Sequence, residues 1–534
     1  MCRDCSDASH VPSAEEQVDD CGRPVPRHLV SRRALLAGAG AAAVPLALGA
    51  AEAGAHGGGS KSRWRDWWER RGHGHGHGPG HGGGGSSKRG HYLIKGAALI
   101  SVDPTIGTVP AADIEVKDGV IVAVGANLRA RGAETIDASR MIAMPGMVET
   151  HYHMWSALGR NFVGDGFEYF PAKSATVAAY EPDDFYNSVS LGLAELASAG
   201  ITTVNNWAHN VRGPDYADAE LTAHRDARLR ARYSYGHRDG QPATQPIDFA
   251  DIERVRQEWF GPRSPLDGLV HLGVNLRGPS NPANFAIEMA WARERRIPVS
   301  VHSGQGPTTA VRAAELERQG YLGPDFLLCH NLPATPEDRA AMIRSGTPLS
   351  ISPHSEMRLG TAGGFHDQLL KSVNDGVLTS LSFDASSIAP IDMFQSMGIA
   401  WNIGIPWIGT DTERLPPILF RHALAMATIN GAKALGLDRQ IGSITPGKRA
   451  DLILIRQDDL NIAPAADVES AVVRVATPAN VDTVLVDGRI LKRDKQLVGF
   501  DVPQLVRDAA ASAHAVRTRA GGRLTPASTR VPQF

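Results

Sequence analysis

His151 and His153 close the apolar run Met141-Ile-Ala-Met-Pro-Gly-Met-Val-Glu-Thr150. In a β-strand, residues two apart share a face, so both imidazoles point the same way and can grip one metal ion. Three more short apolar runs end in residues of ligand type: Ile297-Pro-Val-Ser-Val301 before His302, Phe326-Leu-Leu-Cys329 before His330, and Leu378-Thr-Ser-Leu-Ser-Phe383 before Asp384. Imidazoles with one carboxylate suit Zn or Fe far better than Mg or Ca, which prefer oxygen ligands. The expected chemistry is a water activated by one divalent ion, Zn or Fe.

Such residues need elements that end at a common place. Between about Met141 and Leu437, short apolar strands alternate with helical stretches, the pattern of a parallel sheet with crossover helices. The strand cores read as Val148–His153, Ile201–Asn206, Arg230–Tyr235, Val270–Leu276, Pro298–His302, Phe326–His330, Pro348–Ser352 and Leu378–Asp384. Pro182–Ser198, Pro282–Arg295 and Pro336–Ser345 read as helices between them. Eight units make a (β/α)8 TIM-like barrel, in which active sites form where strands end. Strands around the Asp118-Gly119 and Asp487-Gly488 turns, one set on each side of the barrel segment, predict a small β-sandwich domain built from both chain ends. The expected organisation is a signal region at 1–55, a Gly/His arm at 56–90, a composite β domain at 91–140 and 441–500, the barrel at 141–440 and a C-terminal extension at 501–534.

Ser31-Arg32-Arg33-Ala-Leu-Leu36 opens an Ala-rich apolar stretch that runs to Ala51 and resembles a twin-arginine (Tat) secretion signal. The stretch is short and broken by Pro45, against a stable membrane anchor. The expected product is secreted or periplasmic, carried folded by the Tat machinery. His73-Gly-His-Gly-His-Gly78 lies in a tract that cannot build a core; it is a solvated linker or a loose site for Zn, Cu or Ni. The net charge of −2 over 534 residues supplies no field for nucleic acid. Of the four cysteines, Cys2, Cys5 and Cys21 precede the export segment, so Cys329 is left without an intrachain partner. It reads as a packed strand residue beside His330.

The paired histidines, the single histidines on the fifth and sixth strands and the aspartate on the eighth resemble the ligand set of the amidohydrolase superfamily. Pro145-Gly-Met-Val-Glu-Thr-His-Tyr-His153 is similar to its metal-binding opening, and Ile441-Gly-Ser-Ile-Thr-Pro-Gly-Lys-Arg-Ala-Asp-Leu452 to its return into the β domain. Pro353-His-Ser-Glu-Met-Arg-Leu-Gly360 resembles the seventh-strand segment of the cytosine deaminase and chlorohydrolase branch. The resemblance implies that His151, His153, His302 and Asp384 hold the metal, that Asp384 relays protons, and that His330 polarises the attacked group, either touching the metal or standing beside it. The fourth strand, Val270-His-Leu-Gly-Val-Asn-Leu276, lacks the lysine that bridges two metals in binuclear members, so one ion is expected. His271, at its start, reads as structural.

One position departs from the family pattern. Three residues past His302, where deaminases of this branch carry glutamate, stands Gln305. An amide hydrogen-bonds a substrate but shuttles no proton at neutral pH. Either another acid, with Glu356 the candidate, takes over, or the reaction needs less ring protonation. Glu356 reads equally as a salt-bridged carboxylate, and His354 as a site residue or a loop hydrogen-bonder. Trp155 and His209 read as lining the pocket mouth, and equally as packing.

The expected protein is an exported, metal-dependent hydrolase of a carbon–nitrogen bond other than a peptide bond, in a cyclic or heteroaromatic small molecule. The alternatives are a dechlorinating, dealkylaminating or cyclic-amide hydrolase of the same superfamily, or a non-catalytic metal-binding exported protein. The resemblance also makes a homo-oligomer plausible.

Overall fold

In the computed structural model the described residues are 88–160, 162, 169–242, 244–279, 282–303, 312–330, 334–359 and 365–522. The twin-arginine segment, the Gly/His arm, Gln305 and residues beyond 522 lie outside them.

Alternating apolar residues build β1 (His91–Ile100), β2 (Thr108–Lys117), β3 (Val120–Gly125), β4 (Glu134–Asp137) and β5 (Met141–Pro145). Asp118 and Gly119 between β2 and β3 both take positive φ, +50° and +83°, which a tight hairpin turn requires. The chain then runs through β6 (Met147–Tyr152), β7 (Ile201–Ala208), β8 (Arg230–Gly236), β9 (Val270–Leu276), β10 (Val299–His302), β11 (Phe326–Cys329), β12 (Leu349–Ile351) and β13 (Thr379–Leu381). It returns through β14 (Leu452–Arg456), β15 (Val481–Val486), β16 (Arg489–Arg493) and β17 (Gln496–Leu497).

Strands β6 to β13 pair in sequence order, all in parallel, and a bridge between Tyr152 and Asp384 joins the last strand to the first. This is the expected (β/α)8 barrel. The helices Pro182–Ser198 and Pro336–Ser345 match the sequence reading, because proline opens each and a capping box fixes each start.

The β domain is one nine-stranded sheet, ordered β17-β16-β15-β14-β5-β1-β2-β3 with β4 beside β1. β1 pairs with β4 through Tyr92–Lys95 and with β5 through Ala98–Leu99, and its pairing to β2 shifts register twice between Ile94 and Leu99. Such irregularities bend a strand, so a single sheet supplies what the sequence reads as a sandwich. β5 lies antiparallel to β14, Pro145 opposite Leu452 and Met141 opposite Arg456, which joins the two chain ends.

A buried ion pair ties this sheet to the barrel. Arg230, at the start of β8, donates through Nε and Nη2 to both Asp451 oxygens, at 2.7 and 2.9 Å, and Asp451 also accepts the Asp487 backbone N–H at 2.8 Å. The helix Val502–Arg519 packs on Pro182–Ser198, with Ala509 and Val516 in one apolar cluster with Phe185 and with Arg519 on Asp184. Among the described residues no helix is long and apolar enough to cross a membrane.

Inside the barrel, small hydroxyls fill the space below the strand ends. Thr150 Oγ1 lies 2.8 Å from Ser350 Oγ and 3.0 Å from Ser380 Oγ, and Ser382 bridges Ser350 and Ser352 at 2.9 and 2.7 Å. Each of these five hydroxyls thus finds a partner, as low-dielectric surroundings favour.

Candidate metal centre

His151 and His153 project from the end of β6 on one side, while Tyr152 between them packs its ring 6.4 Å from Phe383. His302 ends β10, His330 follows β11 and Asp384 follows β13. Both His330 and Asp384 hold positive φ, +75° and +71°, a conformation that non-glycine residues keep only when the surroundings enforce it. Their backbones show how: His330 N–H donates to Ser350 O at 2.8 Å, Asp384 N–H to His151 O at 3.0 Å, and Asp384 O accepts His153 N–H at 2.8 Å. The barrel closure and the site are thus built by the same hydrogen bonds.

One ligand atom each from His151, His302, His330 and Asp384 lies within 4.8 Å of all the others. His153 joins from the Asp384 side, with Nε2 3.0 Å from Asp384 Oδ1. His151 Nε2 stands 3.3 Å from the same oxygen and 3.1 Å from His302 Nε2. Donors bonded at about 2.1 Å to one ion stand roughly 3.0–3.4 Å apart along a shared edge, so these spacings fit one divalent ion such as zinc. His151, His153, His330 and Asp384 are buried and His302 is half-buried. Burial pushes His151 down to about 4 and holds His153 and His302 well below the usual histidine range, so the imidazoles are neutral ligands. Burial alone would raise Asp384, but the facing imidazoles of His151 and His153 outweigh it and hold the carboxyl well below the usual range. For these four residues the protonation states are those a metal requires.

Glu356, fully buried, reaches His330 from the helix Pro353–Arg358. Its Oε1 lies 2.8 Å from His330 Nδ1 and accepts the Ser352 backbone N–H at 3.0 Å. Burial would lower His330; the bond to Glu356 and the charge of Asp384 reverse this and raise it. Glu356 is therefore the salt-bridged partner of His330, one of the two readings its sequence position allows. Glu149, which the sequence reading passes over, accepts the His151 backbone N–H at 2.7 Å. Its signal was a carboxylate two residues before a ligand on the same inward face.

Trp155 and His209 pack against each other. The indole is 1% exposed, stacks on Phe185 and meets Tyr180 edge-on, and its N–H donates to His209 Nδ1 at 3.0 Å. His209 Nδ1 also lies 3.1 Å from His153 Nδ1. His209 stands behind His153, and apolar packing draws the indole inward, where it lines a small cavity. The cavity beside Trp155, Tyr169, Lys173 and Ser387 holds about 20 Å³, room for about one water. His354 is half-buried, and its Nε2 has no hydrogen-bond partner among the described residues. His271 sits at the opposite end of the barrel from the ligands, and Cys329 is a buried free thiol outside the donor group.

The sequence pattern of the amidohydrolase family matches residues 142–491, about two thirds of the chain. The chain belongs to the amidohydrolase family. It is a metal-dependent hydrolase of carbon–nitrogen bonds other than peptide bonds. Among similar amidohydrolase relatives, the 5'-deoxyadenosine deaminase of Methanosarcina mazei is 26% identical over 449 residues, covering 80% of this chain and 98% of its own. The 5-methylthioadenosine/S-adenosylhomocysteine deaminase of Acetivibrio thermocellus is 27% identical over 433 residues, 77% of this chain and 95% of its own. The same fold recurs in a zinc-bound adenosine deaminase from Xanthomonas campestris, with TM-score 0.69 and 22% identity over 81% of this chain and all of that one. It recurs also in the zinc complex of atrazine chlorohydrolase from Arthrobacter aurescens, with TM-score 0.66 and 19% identity over 79% of this chain and all of that one.

Proposed function

We propose that this centre deaminates an adenine-type ring borne by a nucleoside: water adds at the carbon carrying the exocyclic amine, the C–N bond breaks and ammonia leaves. The convergence of Asp384 with His151, His153 and His302, flanked by the His330–Glu356 pair, is the observation that carries the hydrolytic chemistry. The substrate class is supported by relatives that are named deaminases of such nucleosides and align over nearly their whole length.

His151, His153, His302 and Asp384 hold the ion, which when bound supplies the Lewis acidity that brings a water's pKa toward neutrality. Asp384 accepts the proton of the attacking water and returns it to the departing amine. Glu356 keeps His330 Nδ1 engaged and so aims the other ring nitrogen at the attacked carbon's substituents. Gln305, which lies outside the described residues, carries an amide, and an amide exchanges no proton with a ring at neutral pH.

Gln305 is also the observation that favours a second reading, displacement of chloride or an alkylamine from a ring that needs less protonation. The zinc-loaded chain incubated separately with 5'-deoxyadenosine, 5'-methylthioadenosine, a chlorotriazine and a lactam distinguishes the two. Ammonia release with loss of the adenine absorbance supports deamination; chloride or a ring-opened carboxylate as the sole product overturns it.

We also propose Tat export of the folded chain, on the strength of Ser31-Arg32-Arg33 and the apolar stretch behind it. Replacing Arg32 and Arg33 by Lys should retain the protein inside the cell, and unchanged export would refute this.

A further inference from the structure

The ring of His209 joins His153 to Trp155, and the chemistry of the three nitrogens fixes where the protons sit. An indole N–H only donates. Trp155 Nε1, 3.0 Å from His209 Nδ1, therefore requires that Nδ1 be an acceptor with a free lone pair. The Trp207 carbonyl, 3.3 Å from the same atom, already accepts the His209 backbone N–H at 2.9 Å and is the weaker candidate partner. His209 then carries its proton on Nε2, which faces Asp239 Oδ2 at 3.5 Å; Lys173 Nζ stands 3.1 Å from that oxygen.

With His209 Nδ1 an acceptor, His153 Nδ1, 3.1 Å away, must be the donor of the contact between them, and the two N–H groups share the one lone pair in a three-centre bond. A neutral His153 protonated on Nδ1 has its lone pair on Nε2, and Nε2 lies 3.0 Å from Asp384 Oδ1. Two acceptors face each other at that distance, an arrangement that repels unless a cation lies between them. The tautomer and the carboxylate together describe two ligands turned toward one ion.

We propose that His209 is a positioning residue of the metal centre, accepting the His153 Nδ1–H through its own Nδ1 and so turning the His153 Nε2 lone pair onto the ion, with Trp155 holding the acceptor in place. Metal-bound histidines usually pass this outer hydrogen bond to a carboxylate or a carbonyl. Here a second neutral imidazole takes it, 8% exposed and braced by a tryptophan. The inference rests on the metal-centre reading above.

Two substitutions separate hydrogen bonding from packing. His209→Asn places a carbonyl oxygen near the position of Nδ1, where both neighbouring N–H groups find an acceptor; His209→Leu fills similar space without one. Zinc affinity is measured on the full chain by competition with a chromophoric chelator, alongside the visible spectrum of the cobalt-loaded protein and the melting temperature of the metal-free protein. H209L should loosen zinc about 10- to 100-fold and shift the cobalt bands, whereas H209N should loosen it by less than about tenfold and keep the parent spectrum. Parent-like zinc affinity in H209L, or a loss in H209N equal to that in H209L, would overturn the role. Absence of zinc binding by the parent chain would instead sink the proposed function, and this role with it.

Discussion

Asp384→Asn tests the catalytic centre most directly, because the substitution changes chemistry while leaving the backbone undisturbed. Asparagine tolerates positive φ better than most residues, so the +71° at this position adds no strain. The bonds from Asp384 N–H to His151 O and from His153 N–H to Asp384 O are main-chain and survive, so the barrel stays closed. What disappears is the charge whose oxygen stands 3.0 Å from His153 Nε2 and 3.3 Å from His151 Nε2. Losing a general base costs about 10²- to 10⁴-fold in rate, or about 3–5 kcal/mol of transition-state stabilisation at 1.36 kcal/mol per decade. Replacing an anionic ligand by a neutral amide weakens the ion's hold as well. Ammonia release is followed over a range of zinc concentrations, with bound zinc measured in each sample, so that rate per loaded site is separated from affinity. The expected outcome is a fall of three or more decades in turnover even at full loading. Turnover per loaded site within tenfold of the parent would refute the assignment of Asp384.

Arg230→Met should strand the buried Asp451 carboxylate and cost about 3–5 kcal/mol in urea-induced unfolding; a loss below about 1 kcal/mol would show that the pair does not lock the sheet to the barrel. Glu220 is fully buried, accepts from Asn206 Nδ2 at 2.6 Å, and is raised by burial to about 8. Its folded pKa lies above the unfolded value, so its favourable contribution is complete below about pH 4.5 and is lost as pH rises through about 8. Glu220→Gln removes this dependence, and its melting temperature relative to the parent should climb between pH 5 and 8.5; a difference that does not change with pH would refute the buried neutral acid. Chelation should abolish hydrolysis and lower the melting temperature, by about 2.7 kcal/mol of stability when zinc had been present at 100 times its Kd, with recovery on adding one equivalent of zinc per chain. Full recovery only at two equivalents would overturn the single-ion centre.

The sequence alone determined which side chains meet at the barrel end. Strand periodicity put His151 and His153 on one face, and parallel strands of similar length bring their ends to one rim, so His302, His330 and Asp384 had to gather there. The helix bounds at Pro182–Ser198 and Pro336–Ser345 were legible because proline and capping residues act within one turn of chain. The hydroxyls at 350, 352, 380 and 382 alternate visibly, yet their mutual bonding depends on the stagger between strands, which no single strand encodes.

Tertiary structure decided what stands behind each ligand. Glu356 meets His330, 26 residues away, because the helix after β12 begins at Pro353 and carries the carboxylate back over the strand end. Trp155 turns inward because Phe185 and Tyr180 offer it an apolar slot, and that slot aims its N–H at His209. The nine-stranded sheet is continuous because β1 changes partner midway along its length. Local periodicity fixes the face on which a residue lies; the neighbour it finds there depends on contacts between distant segments, and those exist only once the chain has folded.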